Sequence, residues 1–86
     1  MRRSIDDYPA TPADVPPGWE DDLAPVSWAI AISDDYDDAE PRVVLTVEEV
    51  GHRGEGFATH LSPEIARRLR TAIRDALKEI GEDPGN

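Results

Sequence analysis

The sequence contains no cysteine, one methionine and only five aromatic residues among its 86 positions. Without cysteine, neither a disulfide framework nor a thiolate metal site is available, and the absence fits a reducing compartment. No stretch approaches the roughly 20 consecutive apolar residues of a membrane-spanning helix. The first residues also lack the apolar region of a secretory signal. We therefore expect one small cytoplasmic domain without a membrane segment.

Positive charge is also scarce. The chain has nine Lys and Arg residues and nineteen Asp and Glu residues, which gives a formal net charge of −10. Residues 1–61 carry fourteen acids and four bases, whereas residues 62–86 carry five of each. An acidic surface repels phosphate, so this composition argues against a nucleic-acid partner. It favours solubility or a basic protein partner.

Residues 61–81 predict one amphipathic helix. Ser62 is a favoured N-cap, Pro63 suits the first helical position, and Gly81 can adopt the left-handed conformation that ends a helix. Five large aliphatic residues recur at helical spacing and form one apolar stripe: Ile65, Leu69, Ile73, Leu77 and Ile80. We predict that this stripe packs on a sheet.

Three strand-like segments precede the helix, at residues 26–33, 42–50 and 57–61. In the first, Val26, Trp28, Ile30 and Ile32 share one face, which is typical of a half-buried strand. The predicted fold class is therefore α+β: a three-stranded antiparallel meander followed by one C-terminal helix packed on one sheet face (β-β-β-α). The second sheet face is small and mildly apolar, and together with the two open edges it offers a surface for a homodimer.

The segments outside this domain are predicted to lack a core. Residues 1–25 hold five of the eight prolines and are predicted to form an extended or disordered acidic arm. Residues 26–81 form the domain, and residues 82–86 form a disordered tail. Trp19 is the exception within the arm, since a large aromatic side chain either docks on its own domain or contacts a partner.

The acidic loop at residues 34–40 is the nearest approach to a metal site. Neither register of its acids matches a calcium-binding loop, because Ala39 falls where a ligand or the turn glycine should stand. The glycine-rich connection at residues 51–56 is followed by a strand rather than a helix, so it predicts a flexible hairpin and not a phosphate cradle. His52 and His60 have no ligand or catalytic partners in the sequence. We predict no metal, no cofactor and no enzymatic activity.

Two charged sets remain as candidate partner-binding residues, in addition to Trp19. One is the acidic loop, through Asp35, Asp37 and Asp38. The other is the basic flank of the helix, predicted to lie away from the apolar stripe: Arg67, Arg70, Arg74 and Lys78. Either set can be a solvated surface or a recognition surface for a ligand of opposite charge.

Two resemblances accompany these patterns. Gly54, Gly56, Ser62 and Ala66, in a strand–strand–strand–helix order, resemble the C-terminal half of a double-stranded RNA-binding domain. That family has lysines at the helix start, where this chain has Pro63 and Glu64, and of its basic positions only Arg67 remains. More broadly, Leu-Ser-Pro-x-x-Ala-x-x-Leu after acidic, valine-rich strands is similar to short proteins of high-GC actinobacteria and their phages. The second resemblance implies a bacterial or phage origin and no catalytic residues.

The sequence therefore predicts a small acidic, non-enzymatic protein-interaction or regulatory module, with a protein partner that can be a second copy of itself. One alternative is an acidic DNA mimic that inhibits a DNA-binding host enzyme. Another is nucleic-acid binding through the basic helix flank.

Overall fold

The computed structural model describes residues 1–52 and 54–85 and contains one antiparallel sheet and one C-terminal helix. The α+β class is as predicted, but the sheet has four strands in the order β1-β2-β3-β4. The elements are β1 (Arg2–Tyr8), a short 3₁₀ helix (Pro12–Asp14), β2 (Val26–Ser33), β3 (Arg42–Glu49), β4 (Phe57–Leu61) and α1 (Pro63–Glu79).

Strand β1 corrects the prediction of a three-stranded sheet, because it lies within the segment 1–25 that was predicted to be an arm. It pairs with β2 along its length, with a register shift between Ser4 and Asp6. Every residue of β1 is exposed. An edge strand of this kind carries no apolar alternation, since neither of its faces is buried, and Ile5 stands at the irregularity.

The other three strands follow the predicted segments, and their register divides the sheet into two faces. Directly opposed residues point to the same side of a sheet, so Trp28, Val47 and Phe57 share a face with Tyr8. We call this side the apolar face; it also holds Val26, Ile30, Ile32, Val43, Leu45 and Leu61. The opposite side is the small-residue face, with Ser27, Ala29, Ala31, Ser33, Val44, Thr46, Ala58 and His60.

Both predicted ends of the helix are confirmed. The Ser62 hydroxyl accepts a hydrogen bond from the backbone N–H of Ile65 at 3.3 Å, and Pro63 is the first helical residue. At the C-terminus Gly81 has φ +79°, its N–H bonds to the carbonyl of Lys78, and the N–H of Glu82 bonds to the carbonyl of Leu77. These two bonds form a Schellman motif, which satisfies the last carbonyls of the helix.

The best-buried part of the sheet lies on the small-residue face, whereas the sequence predicted the core under the helix. Val44 is 1% exposed, and Ala31 and Ser33 are also buried. The segment after β1 is tied to this face by a 2.9 Å hydrogen bond from the N–H of Ala10 to the hydroxyl of Ser27. Small side chains on this face allow such a segment to approach the sheet closely.

The helix itself is docked loosely, which corrects the prediction that its apolar stripe packs on the sheet. Among the described residues, α1 approaches only β3 and β4 within 8 Å between Cα atoms. Ala66 and Leu77, at one border of the stripe, are half-buried, while Ile73 remains 55% exposed. The helix thus brings one border of its stripe closest to the sheet and leaves much of the stripe accessible to solvent.

Two of the predicted segments include residues outside the described part of the chain. The predicted hairpin at residues 51–56 includes Arg53, and the predicted tail includes Asn86; both residues lie outside the described part. Within that part, no helix has the length and apolarity needed to cross a membrane.

Candidate functional site

The apolar face carries a row of four side chains, one from each strand, which we call the aromatic row: Tyr8, Trp28, Val47 and Phe57. The rings of Tyr8 and Trp28 stack with centroids 5.7 Å apart. Phe57 is 77% exposed. Aromatic side chains contribute much of the energy of protein interfaces when they are covered, so this row is a candidate contact surface.

One end of the aromatic row is held by a polar anchor. The Tyr8 hydroxyl donates a 2.6 Å hydrogen bond to a carboxylate oxygen of Asp14, in the short 3₁₀ helix. The same bond lowers the pKa of Asp14 and raises the pKa of Tyr8, because it favours the carboxylate and the neutral phenol. This bond restrains the Tyr8 ring that stacks on Trp28.

An apolar groove of about 460 Å³ lies between α1 and the sheet. Its sheet side is formed by Ile30, Val43 and Leu61, and its helix side includes Leu69 and Ile73. Interiors of folded proteins are close-packed, so an open groove of this size shows that helix and sheet are not closely packed along this line. The groove and the aromatic row together form one continuous apolar surface on one side of the molecule.

The whole chain exposes more surface than a compact protein of its size. Its accessible surface is 6928 Å², whereas a globular monomer of 9.5 kDa exposes roughly 5000 Å². The radius of gyration is 15.2 Å, against roughly 12 Å for a compact chain of this length. The Cα atoms extend 46 × 33 × 17 Å, so the molecule is a thin slab.

The predicted basic flank is divided by the structure. Arg70 and Arg74 line the groove, which corrects the prediction that all four bases lie away from the apolar stripe. The guanidinium of Arg74 is 3.4 Å from the carboxylate of Asp75. Arg67 and Lys78 are exposed on the helix. The bases therefore do not form one separate cationic surface.

The aspartates of the predicted acidic loop also differ in their surroundings. Asp35 accepts a hydrogen bond from the amino terminus of Met1 at 2.5 Å, and Asp34 accepts a second one. Asp38 is paired with Arg42 at 2.6 Å, and this bond, together with one from the backbone N–H of Glu40, lowers the pKa of Asp38 to about 2. Asp37 is exposed. Among the described residues no group of three or more His, Asp or Glu is placed to hold a metal ion.

Trp19 is 54% exposed, so the arm does not bury it against its own sheet. Its backbone lies in a turn, with its carbonyl accepting from the N–H groups of Asp22 and Leu23. Trp19 therefore stays available for the partner contact that was one of its two predicted roles.

A polar network on the small-residue face has no counterpart in the sequence prediction. The Tyr36 hydroxyl lies 2.7 Å from Nδ1 of His60, and the guanidinium of Arg42 lies 4.6 Å from the Tyr36 ring centroid. The contact between Tyr36 and His60 links the acidic loop to β4 on the small-residue face. Tyr36 and His60 are 24 residues apart in sequence, and no local pattern signals such a contact.

Comparison of the chain with protein-family models, with curated proteins and with solved structures gives no match.

Proposed function

We propose that this protein is a non-enzymatic protein-interaction module whose binding surface is the apolar face together with the exposed stripe of α1. The observation that carries the proposal is the exposure of large apolar side chains from both layers on one side of the molecule: Val26, Trp28, Phe57, Ile65, Leu69, Ile73 and Ile80. Contiguous apolar surface of this kind marks interaction sites in soluble proteins.

The energetic case follows from the area involved. An apolar surface gains about 25 cal/mol for each Å² that is removed from water. Phe57 alone exposes 77% of a side chain of roughly 150–250 Å², so covering it contributes about 3–5 kcal/mol before association costs are subtracted. A partner that covers the aromatic row and the helix stripe together gains several such terms.

The alternatives receive less support from the same geometry. A DNA mimic needs its carboxylates on one surface, whereas Glu48 and Glu49 are neighbours in a strand and therefore point to opposite faces. Nucleic-acid binding needs a continuous basic surface, whereas Arg70 and Arg74 border an apolar groove. Both functions remain predictions from composition, as does a cytoplasmic location.

The proposal is tested by capture from living cells. The tagged protein is expressed in its native host, cross-linked, purified and analysed by mass spectrometry, in parallel with the Ile73→Glu variant. A second, differently tagged copy of the chain reports self-association. We expect wild type to retain one defined protein, either a foreign partner or the second copy, and Ile73→Glu to lose it.

Lys78→Gln is the matched control, because it changes the net charge by the same amount from the exposed outer flank of the same helix. It should capture the same protein as wild type. An identical set of captured proteins for wild type and Ile73→Glu contradicts the proposal.

A further inference from the structure

We infer that the partner of the apolar face is a second copy of this chain, related by a twofold axis, with α1 of each copy covering the aromatic row of the other. The inference rests on the proposed function and names the occupant of the same surface.

The first argument is that a twofold dimer can cover two apolar surfaces that the single chain leaves exposed. The chain has a helix whose apolar stripe its own sheet leaves exposed, and it has an aromatic row that its own helix does not cover. In a twofold interface contacts are reciprocal, so a dimer in which one helix stripe covers the other copy's row covers both rows and both stripes. A helix of 17 residues is about 25 Å long, which suffices to cross a four-stranded sheet whose strands lie about 4.8 Å apart.

The second argument is the area. The chain exposes roughly 1900 Å² more than a compact monomer of its mass. A stable interface of standard size needs about 800 Å² from each partner. The excess, summed over the whole surface of the chain, is larger than one such patch, so covering the apolar face can supply the area of a standard interface.

The third argument is charge complementarity within the pair. Residues 63–79 carry five bases and three acids, so α1 is locally positive on a chain whose remaining residues are strongly negative. The register places two exposed carboxylates on the apolar face, because Asp6 opposes Ile30 and Glu49 opposes Val26. Arg70 and Arg74 line the helix side of the groove. A partner helix laid on this face brings its bases toward carboxylates, which sets its orientation.

The test uses sedimentation velocity on the full chain and a pair of adjacent substitutions. Phe57 and Ala58 are both exposed residues of β4 and point to opposite faces. We expect wild type to sediment as a dimer, Phe57→Glu to weaken dimerisation by about tenfold or more, and Ala58→Glu to leave it unchanged. A monomeric wild type, or equal loss in both variants, overturns the inference.

Cross-linking tests the arrangement independently of variant stability, because the chain has no cysteine of its own. A tagged Ile73→Cys chain is mixed with an untagged Phe57→Cys chain and treated with a short bis-maleimide. We expect a cross-linked heterodimer from this mixture and none when Ala58→Cys replaces Phe57→Cys. A dimer that cross-links equally through either face overturns the helix-on-row arrangement.

The two proposals fail in different ways. If purified wild type is a monomer while living cells yield a foreign protein that Ile73→Glu no longer captures, the interaction module stands and the second copy is excluded. If neither assay responds to Ile73→Glu or Phe57→Glu, both fail.

Discussion

Truncation of Val44 measures where the core of the single chain lies. Val44 is 1% exposed on the small-residue face, and its neighbour Val43 is half-buried on the apolar face of the same strand. Val44→Ala removes the equivalent of two methylene groups at about 0.8 kcal/mol each, and the cavity that remains raises the cost to about 2–3 kcal/mol. Val43→Ala removes the same atoms from a partly open site, so we expect about 1 kcal/mol or less. Strand propensity cancels between the two changes.

The assay is urea unfolding followed by circular dichroism, with both substitutions made in a Phe57→Glu background. That background keeps a second copy from covering Val43, so the two free energies of unfolding refer to the single chain. Unfolding slopes should match between the variants, since the surface exposed on unfolding is nearly the same. A cost for Val43→Ala equal to or above that of Val44→Ala would place the core under the helix and refute our description of the two faces.

Three further outcomes follow from local geometry. Gly56→Ala should lower the free energy of unfolding by about 1–3 kcal/mol, because an added Cβ would lie 2.3 Å from the carbonyl oxygen of Val47, and urea unfolding measures it. Asp38 should titrate by NMR at about pH 2, and Arg42→Gln should return its pKa toward 3.8. Because the folded pKa is the lower one, the stabilisation from this pair is present above about pH 4 and is lost as the pH falls through about 2. Ser62→Ala should cost about 1 kcal/mol and fray the helix start in hydrogen exchange, and no loss would contradict the cap.

Sequence patterns predicted the elements whose signals are local. The Ser62-Pro63 start and the Gly81 stop bracket the helix because capping depends on residues within one turn. The three strands with apolar alternation were also predicted, because alternation is a pattern among neighbouring residues. Strand β1 was missed because it is an edge strand exposed on both faces, so Arg2–Tyr8 carries no alternating pattern.

The arrangement between elements was not available from the sequence. Alternation assigns Val43 and Val44 to different faces, but it does not say which face is covered. Helical spacing identifies the stripe that includes Ile73, but the placement that leaves it exposed depends on how the whole helix meets β3 and β4. The Tyr36–His60 contact joins residues that are distant in sequence. The composition therefore identified a charged loop but did not indicate that this loop is bound to β4. Consequently the sheet face predicted to be open was the small-residue face, which holds the buried Val44 and Ala31, whereas the candidate surface lies on the opposite, apolar face.

The measurement that tests the central claim most directly is the molar mass of the purified wild-type chain by light scattering, from about 1 to about 100 µM. We predict twice the chain mass of 9.5 kDa at the upper end, falling toward the monomer on dilution. A mass of 9.5 kDa throughout, unchanged by Phe57→Glu, would contradict a dimer formed through the apolar face.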